Sequence, residues 1–380
     1  MYDFKSFPDR RKTESVKWGL YGKDVLPMWV ADMDFVSPQP VIDALKQRVE
    51  HGIFGYPMIS DELKQVVVER MDERYSWKIT TDDLIFVPGV VSGFNLVCQA
   101  LSGGKGSMIM QTPVYPPFLT APGNAGIDGI TVDLVQSGTG QYIIDFDAFE
   151  RGLRPDTRVF LLCNPHNPVG RVFRKDELEK LAEICLRHNV FICSDEIHSD
   201  LIYGGYRHTP IASLGEEISQ RTITLIAPSK TFNIAGLECS VIICTSKELR
   251  EKIESARRGL LGHVNVLGLT AAYSAYKDGS EWLEELLSVL QSNRDLLVRF
   301  VHENLKGIKM SIPEGTYLAW LDCRGLKEID DPFIFFLNKA KVAMNDGREF
   351  GRAGEGFLRL NFGCPEGMLI EAMLRMKQAL

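Results

Sequence analysis

Nowhere along the chain do apolar residues run on for the roughly 18 positions that a membrane-spanning helix needs. The opening residues, Met-Tyr-Asp-Phe-Lys-Ser, carry both charge signs and lack the apolar stretch of a secretion signal, so neither insertion nor export is expected. Positive charge is in deficit: 43 Lys and Arg against 50 Asp and Glu leave a formal net charge of −7. Nucleic acids and anionic membranes are gripped by a basic face, and neither is expected as a partner. The eight cysteines include no C-x-x-C pair and no compact cluster with histidine, so no metal site is expected. Cys98, Cys163, Cys185, Cys193 and Cys244 lie in apolar stretches, as buried free thiols in a reducing cytoplasm would. Internal repeats, low-complexity tracts and long linkers are also missing.

What remains is a chain of 380 residues, long enough for a large core and two domains. Its 45% hydrophobic and 24% charged content is ordinary for a globular protein. Short β-branched runs at 84–87, 107–111, 129–134, 158–162, 190–194, 223–226 and 240–244 predict strands. Helices are predicted between them at 92–101 and 175–188, the second with Leu178, Leu181, Ile184 and Cys185 on one face. The alternation implies an α/β fold: a large domain with a mostly parallel seven-stranded sheet flanked by helices. Helices are predicted again at 247–259, 265–277 and 279–305, the last long enough to bridge two domains. From 310 onward the pattern turns to strands at 316–322, 342–345 and 356–361, with helices at 331–339 and 365–380. That tail predicts a smaller α+β C-terminal domain.

Three segments carry chemistry. Lys230 lies in Ala-Pro-Ser-Lys-Thr-Phe-Asn, directly after the apolar run ending at Ile226. Cys163-Asn-Pro-His-Asn-Pro-Val-Gly170 and Ile192-Cys-Ser-Asp-Glu-Ile-His198 lie upstream, each also following a predicted strand. Ligands of parallel sheets bind beyond the carboxyl ends of the strands, so all three segments belong in one crevice. An asparagine in a Pro-rich turn, an aspartate at a strand end and a lysine after a later strand are the parts of a pyridoxal 5'-phosphate (PLP) site. The lysine condenses with the aldehyde, the aspartate (Asp195) keeps the pyridine nitrogen protonated, and the asparagine bonds the ring hydroxyl. Glu196 rivals Asp195, but strand alternation sends it to the opposite face. Asn164 rivals Asn167. For the phosphate, Pro88-Gly89-Val90-Val91-Ser92 leaves a strand and opens a helix, offering unpaired N–H groups and a positive helix end. Gly89 allows close approach of the backbone. The Ser229 hydroxyl is a second donor.

These segments, with Met28-Trp-Val-Ala-Asp-Met-Asp-Phe35, Phe86–Ser92, Thr112-Pro-Val-Tyr-Pro116, Pro313-Glu-Gly-Thr-Tyr-Leu-Ala-Trp320 and Phe357-Leu-Arg-Leu-Asn-Phe-Gly-Cys-Pro365, resemble the fold-type I, aspartate-aminotransferase-like superfamily of PLP enzymes. Within it the resemblance is to the cystathionine beta-lyase (C–S lyase) branch and runs nearly end to end. The resemblance implies that Asn167 meets the ring O3′ and that Tyr115 stacks on the pyridine. It places His198 where many aminotransferases carry a tyrosine that touches O3′. Arg359 resembles the residue holding the substrate α-carboxylate, the backbone at Val30 and Ala31 closes over the substrate, and Trp29, Asp32 and Asp34 are structural. Tyr56 resembles a tyrosine that reaches the phosphate and substrate from a partner subunit, which implies a homodimer with shared active sites. The domains implied are 47–277 for the large PLP-binding domain and 278–380 for the small one, with residues 1–46 an N-terminal segment associated with the small domain. One departure stands out: eight residues past the lysine, where related aminotransferases hold an arginine for the phosphate, this sequence has Glu238. The implied reaction is β-elimination from cystathionine or related S-substituted cysteines, giving a thiol, pyruvate and ammonia. The alternative is a class I/II amino-acid aminotransferase.

Overall fold

The computed structural model describes residues 2–138 and 140–380. Seven strands, β1 (Leu84–Val87), β2 (Ser107–Thr112), β3 (Asp128–Asp133), β4 (Thr157–Cys163), β5 (Phe191–Asp195), β6 (Thr222–Ile226) and β7 (Ser240–Ile243), make one sheet. Their order is β1-β7-β6-β5-β4-β2-β3. Only β7 runs antiparallel to its neighbours, so the sequence expectation of a mostly parallel seven-stranded sheet holds.

Nine longer helices lie among the described residues: α1 (Gln39–Glu50), α2 (Asp61–Tyr75), α3 (Val90–Ser102), α4 (Pro116–Asn124), α5 (Lys175–Arg187), α6 (Lys247–Arg257), α7 (Val266–Asp278), α8 (Ser280–Asn304) and α9 (Glu366–Ala379). The strands other than β3 are buried almost throughout because both faces are covered, whereas edge strand β3 (Asp-Gly-Ile-Thr-Val-Asp) leaves most of its residues exposed. On one face Val159, Leu161, Cys193, Ile223 and Leu225 pack against Phe94 and Val97 of α3, Phe118 of α4 and Ile253 of α6. The alternate residues Phe160, Leu162 and Ile192 meet Leu178, Leu181 and Cys185 of α5. Elsewhere on that second face, Phe86, Ile226, Val241 and Ile243 join a core that continues through α7 and α8. At Gly93, a β-carbon would stand 2.5 Å from a Leu225 methyl, so the missing side chain is what lets α3 lie close on the sheet.

The C-terminal part is an antiparallel sheet of β8 (Lys309–Met310), β9 (Leu318–Asp322), β10 (Asn345–Asp346) and β11 (Phe357–Asn361), ordered β8-β9-β11-β10. It differs from the sequence reading in three places, the first being β8 itself, a two-residue strand that the sequence pattern does not predict. The single strand expected at 342–345 is divided: Val342–Ala343 pairs in parallel with Leu26–Pro27, while Asn345–Asp346 joins β11. The division at Met344 lets one short segment pair with two different partners. The helix expected at 331–339 is one ordinary turn, Pro332–Phe335, followed by a wider π turn, Phe336–Ala340, closed by Lys341 at φ 55°. The long helix is present as expected: α8 buries Trp282, Leu283, Leu286, Leu290, Leu297 and Val301 along one stripe and spans roughly 37 Å. Among the described residues no helix is long and apolar enough to cross a membrane.

Candidate active site

Sheet direction concentrates chemistry at one edge. β1, β2, β4, β5 and β6 all run toward it, delivering Asp195 at the end of β5 and Gly89, Tyr115, Asn167 and Lys230 just past the ends of the others. Cys163, at the end of β4, is the register partner of Asp195. Lys230 follows on a one-turn helix, Pro228–Thr231. The second sheet contributes Arg359 from β11, and the segment from Met28 to Phe35 crosses between the two.

Lys230 Nζ donates to the Ala31 carbonyl at 2.7 Å. Burial lowers its pKa to about 8, with the Arg359 charge adding to the effect and Asp32 and Asp195 opposing it. An amine of this basicity keeps a useful neutral fraction near neutral pH, as a nucleophile and base requires. Asp195 is buried, and its Oδ1 accepts a hydrogen bond from the Ile197 N–H at 3.0 Å. Burial, opposed by that bond, pushes its carboxyl up to about 7. Among the described residues it has no ion-pair partner, so it is a carboxyl prepared for a cation from outside the chain. Glu196 faces the other way, accepting from Ser194 Oγ at 2.9 Å and meeting His208 Nε2 at 2.8 Å.

Arg359 is 4% exposed yet bonds only neutral groups: Asn167 Oδ1 at 3.1 Å, Asn345 Oδ1 at 2.6 Å and the Trp29 carbonyl at 3.1 Å. Its Nε has no partner, and burial lowers its pKa to about 10. Among the described residues no carboxylate makes an ion pair with this buried guanidinium, Glu349 acting on it only from a distance, so it is prepared to receive one from a ligand. Asn164 instead braces its own turn, with Oδ1 accepting from the Phe173 N–H at 3.0 Å. His198 is buried edge-on to Tyr317, its Nδ1 without a partner, and desolvation holds its pKa down to about 3. It is therefore a neutral ring. Tyr115 opens α4 half-buried, near enough to Arg359 and Asp195 for both charges to act on its hydroxyl.

At the start of α3, Gly89 has φ 90° and its missing side chain faces open space. No side chain caps this helix, so the N–H groups of Val90 and Val91 have no intrahelical acceptor and can take an anion. Ser229 is half-buried beside the lysine. Glu238 is exposed and turned outward at φ 49°. Tyr56 is not brought to the site within one chain: it is fully exposed on the irregular stretch before α2, with Ile53, Phe54 and Met58 exposed around it. Cavities of about 1140 and 760 Å³ lie elsewhere and are lined by none of these residues.

Sequence reasoning missed three residues. Tyr317 donates its hydroxyl to the Ala31 carbonyl at 2.9 Å. Asn233, three positions after the lysine, bonds both the N–H and the carbonyl of Met33. Lys17, in no motif, is buried against Asp34 at 2.6 Å. Tyr317 and Asn233 sit inside quoted motifs, but only a fold shows what they touch.

The donor set suits PLP: an amine of lowered basicity, a buried carboxyl without a cation, an uncapped helix end and an unpaired buried guanidinium. The sheet and the small antiparallel domain define an α/β enzyme of fold type I. The chain belongs to the aminotransferase class I and II family, whose profile matches residues 23–375. It is 40% identical over 387 aligned positions, covering 100% of both chains, to the cystathionine beta-lyase PatB of Bacillus subtilis. Among solved structures it is similar to cystalysin from Treponema denticola, which contains PLP (TM-score 0.94, 36% identity, 100% of this chain and 98% of that one). It is also similar to the PLP-bound C–S lyase of Staphylococcus hominis (TM-score 0.93, 31% identity, 100% and 98%).

Placing Lys230 in this site has a stability consequence. Its folded pKa, about 8, is below its ordinary 10.5, so the stability tied to its neutral form is present above 10.5 and lost as pH falls to 8. Lys230→Met should raise the melting temperature of the cofactor-free chain at pH 7 by about 1–3 °C. The gain should shrink as pH rises past 8, and calorimetry at pH 7 and 10 reads it. Equal melting temperatures for both chains at each pH would contradict a charge cost at this position.

Proposed function

We propose that this chain is a PLP-dependent carbon–sulfur β-lyase acting on cystathionine or related S-substituted cysteines, releasing a thiol, pyruvate and ammonia. The observation that carries the reading is the low-basicity Lys230 amine beside Arg359, in a chain 40% identical along its whole length to a cystathionine beta-lyase. When bound, PLP supplies the electron sink for the pair left at Cα. In the proposed arrangement the Val90 and Val91 N–H groups and Ser229 hold the phosphate, Asp195 keeps the proton on the ring nitrogen, Asn167 meets the ring hydroxyl, and Tyr115 covers the ring. His198, neutral, packs nearby. Arg359 pairs with the substrate α-carboxylate, and the Ala31 backbone lies over the substrate. Lys230 takes the Cα proton and delivers it to the departing sulfur. The C–H pair becomes the Cα–Cβ double bond as the C–S bond breaks, and water then converts the aminoacrylate to pyruvate and ammonia.

The exposed 238 position supports the lyase reading, since no arginine there reinforces the phosphate. Purified protein given cystathionine should form pyruvate and free thiol in equal amounts. Keto acid formed only with added 2-oxoglutarate, and no pyruvate, would move the assignment to an aminotransferase.

We also propose a homodimer in which Tyr56 of each copy completes the other's site. Its full exposure among Ile53, Phe54 and Met58 supports this, because such an apolar stretch is suited to burial against a second chain. Light scattering should give twice the chain mass. The domain division proposed is 47–277 for the large domain and 278–380 for the small one, with 1–46 associated with the small domain. The cytoplasm is the compartment proposed, supported by eight free cysteines that are all buried.

A further inference from the structure

The segment over Lys230 is held carbonyl by carbonyl. Trp29 O accepts from Arg359 Nη2, Val30 O from Asn361 Nδ2, Asp32 O from Lys17 Nζ and Asn361 Nδ2, and Met33 O from Asn233 Nδ2. Below them, Arg10 and Lys17 neutralise Asp32 and Asp34 in a largely buried quartet. The middle carbonyl, that of Ala31, is the one that Lys230 Nζ reaches at 2.7 Å, and it is shared with the Tyr317 hydroxyl at 2.9 Å. A carbonyl oxygen has two lone pairs, and here both are engaged.

We propose that Tyr317 is a positioning residue for the lysine base: by donating to Ala31 O, it limits how strongly that carbonyl can hold the lysine as an ammonium. Each donor withdraws electron density from the shared oxygen, so the hydroxyl weakens the bond that favours the charged amine. The same contact ties the segment to the second sheet, fixing where the carbonyl sits. Tyr317 is 1% exposed and its ring packs edge-on against His198, so Phe can replace it without opening a cavity. The other groups facing the amine, Arg359, His198, Asp195 and Asp32, keep their own side chains in that exchange, and the ring that packs on His198 is retained.

The proposal rests on Lys230 being the base in the function proposed above, but its test needs no sulfur substrate. In the cofactor-free chain, labelling of Lys230 by trinitrobenzenesulfonate across pH 6–10, read by peptide mapping, gives the midpoint of the amine. Tyr317→Phe should move that midpoint up by about half a pH unit, an approximately threefold smaller neutral fraction near pH 7. The acidic limb of kcat in the loaded enzyme should move the same way. Tyr317→Met, which removes the hydroxyl with a flexible side chain, should shift the midpoint in the same direction. A folded variant with an unchanged or lowered midpoint overturns the proposal, whatever happens to its activity. Absence of pyruvate from cystathionine would sink the lyase reading while leaving this midpoint test intact.

Discussion

Lys230→Ala is expected to lower turnover of cystathionine by roughly 10³–10⁴-fold and to abolish the visible absorbance of lysine-bound cofactor. Two losses combine. The proton at Cα no longer has a positioned base, and a positioned acid–base group contributes on the order of 10²–10⁴ in rate. The departing sulfur also loses its proton donor. The effect should fall on kcat more than on KM, because Arg359, Asn167 and the helix end that would bind the ligand are untouched. The protein should remain folded, since the change removes a buried amine whose charge is disfavoured. Stopped-flow assays of pyruvate release with a parallel absorbance scan measure both effects. Activity within tenfold of the parent would remove the lysine from the mechanism.

Asp195→Asn is expected to cost about 10²–10³ in kcat, because an amide cannot stabilise a positive ring nitrogen and the electron sink weakens. The neighbouring carboxylate supplies the control. Glu196 turns away to Ser194 and His208, so Glu196→Gln should change kcat less than tenfold. It should instead lower stability by about 1–3 kcal/mol through the weakened buried contact to His208. Equal losses from the two substitutions would show that the assignment of faces is wrong. The pH dependence adds a second reading. In the cofactor-free chain Asp195 is raised to about 7, so its charged form fades as pH falls below 7. Cofactor affinity should then decline from pH 7 to pH 5 in the parent. Asp195→Asn should flatten that decline, leaving only the part due to the phosphate, which itself gains a proton near pH 6.

The sheet was legible because strands buried on both faces must be apolar throughout, and β-branched runs such as Thr222–Ile226 have few other uses. The edge of the site was legible for the same reason: once β4, β5 and β6 run parallel, whatever follows them falls together. Asn167 and Lys230 follow β4 and β6, and Asp195 ends β5. What escaped the sequence was long-range. Val342–Ala343 pairs with Leu26–Pro27, more than three hundred residues earlier, and no local pattern marks Met344 as the break. Lys17 looks like any surface lysine until Asp32 and Asp34 are seen to enclose it. Tyr317 stood in a quoted motif, but the lone pair it occupies belongs to Ala31, 286 positions away. Tyr56 escapes even the folded chain, because its proposed place lies on a second copy.

The measurement that bears most directly on the whole account is reduction of the native enzyme with borohydride, followed by peptide mapping of the fixed cofactor. The account predicts a single labelled peptide spanning Ala-Pro-Ser-Lys-Thr-Phe, with the added mass on residue 230. A label on another lysine, or an enzyme that loses its absorbance without any labelled peptide, would contradict it.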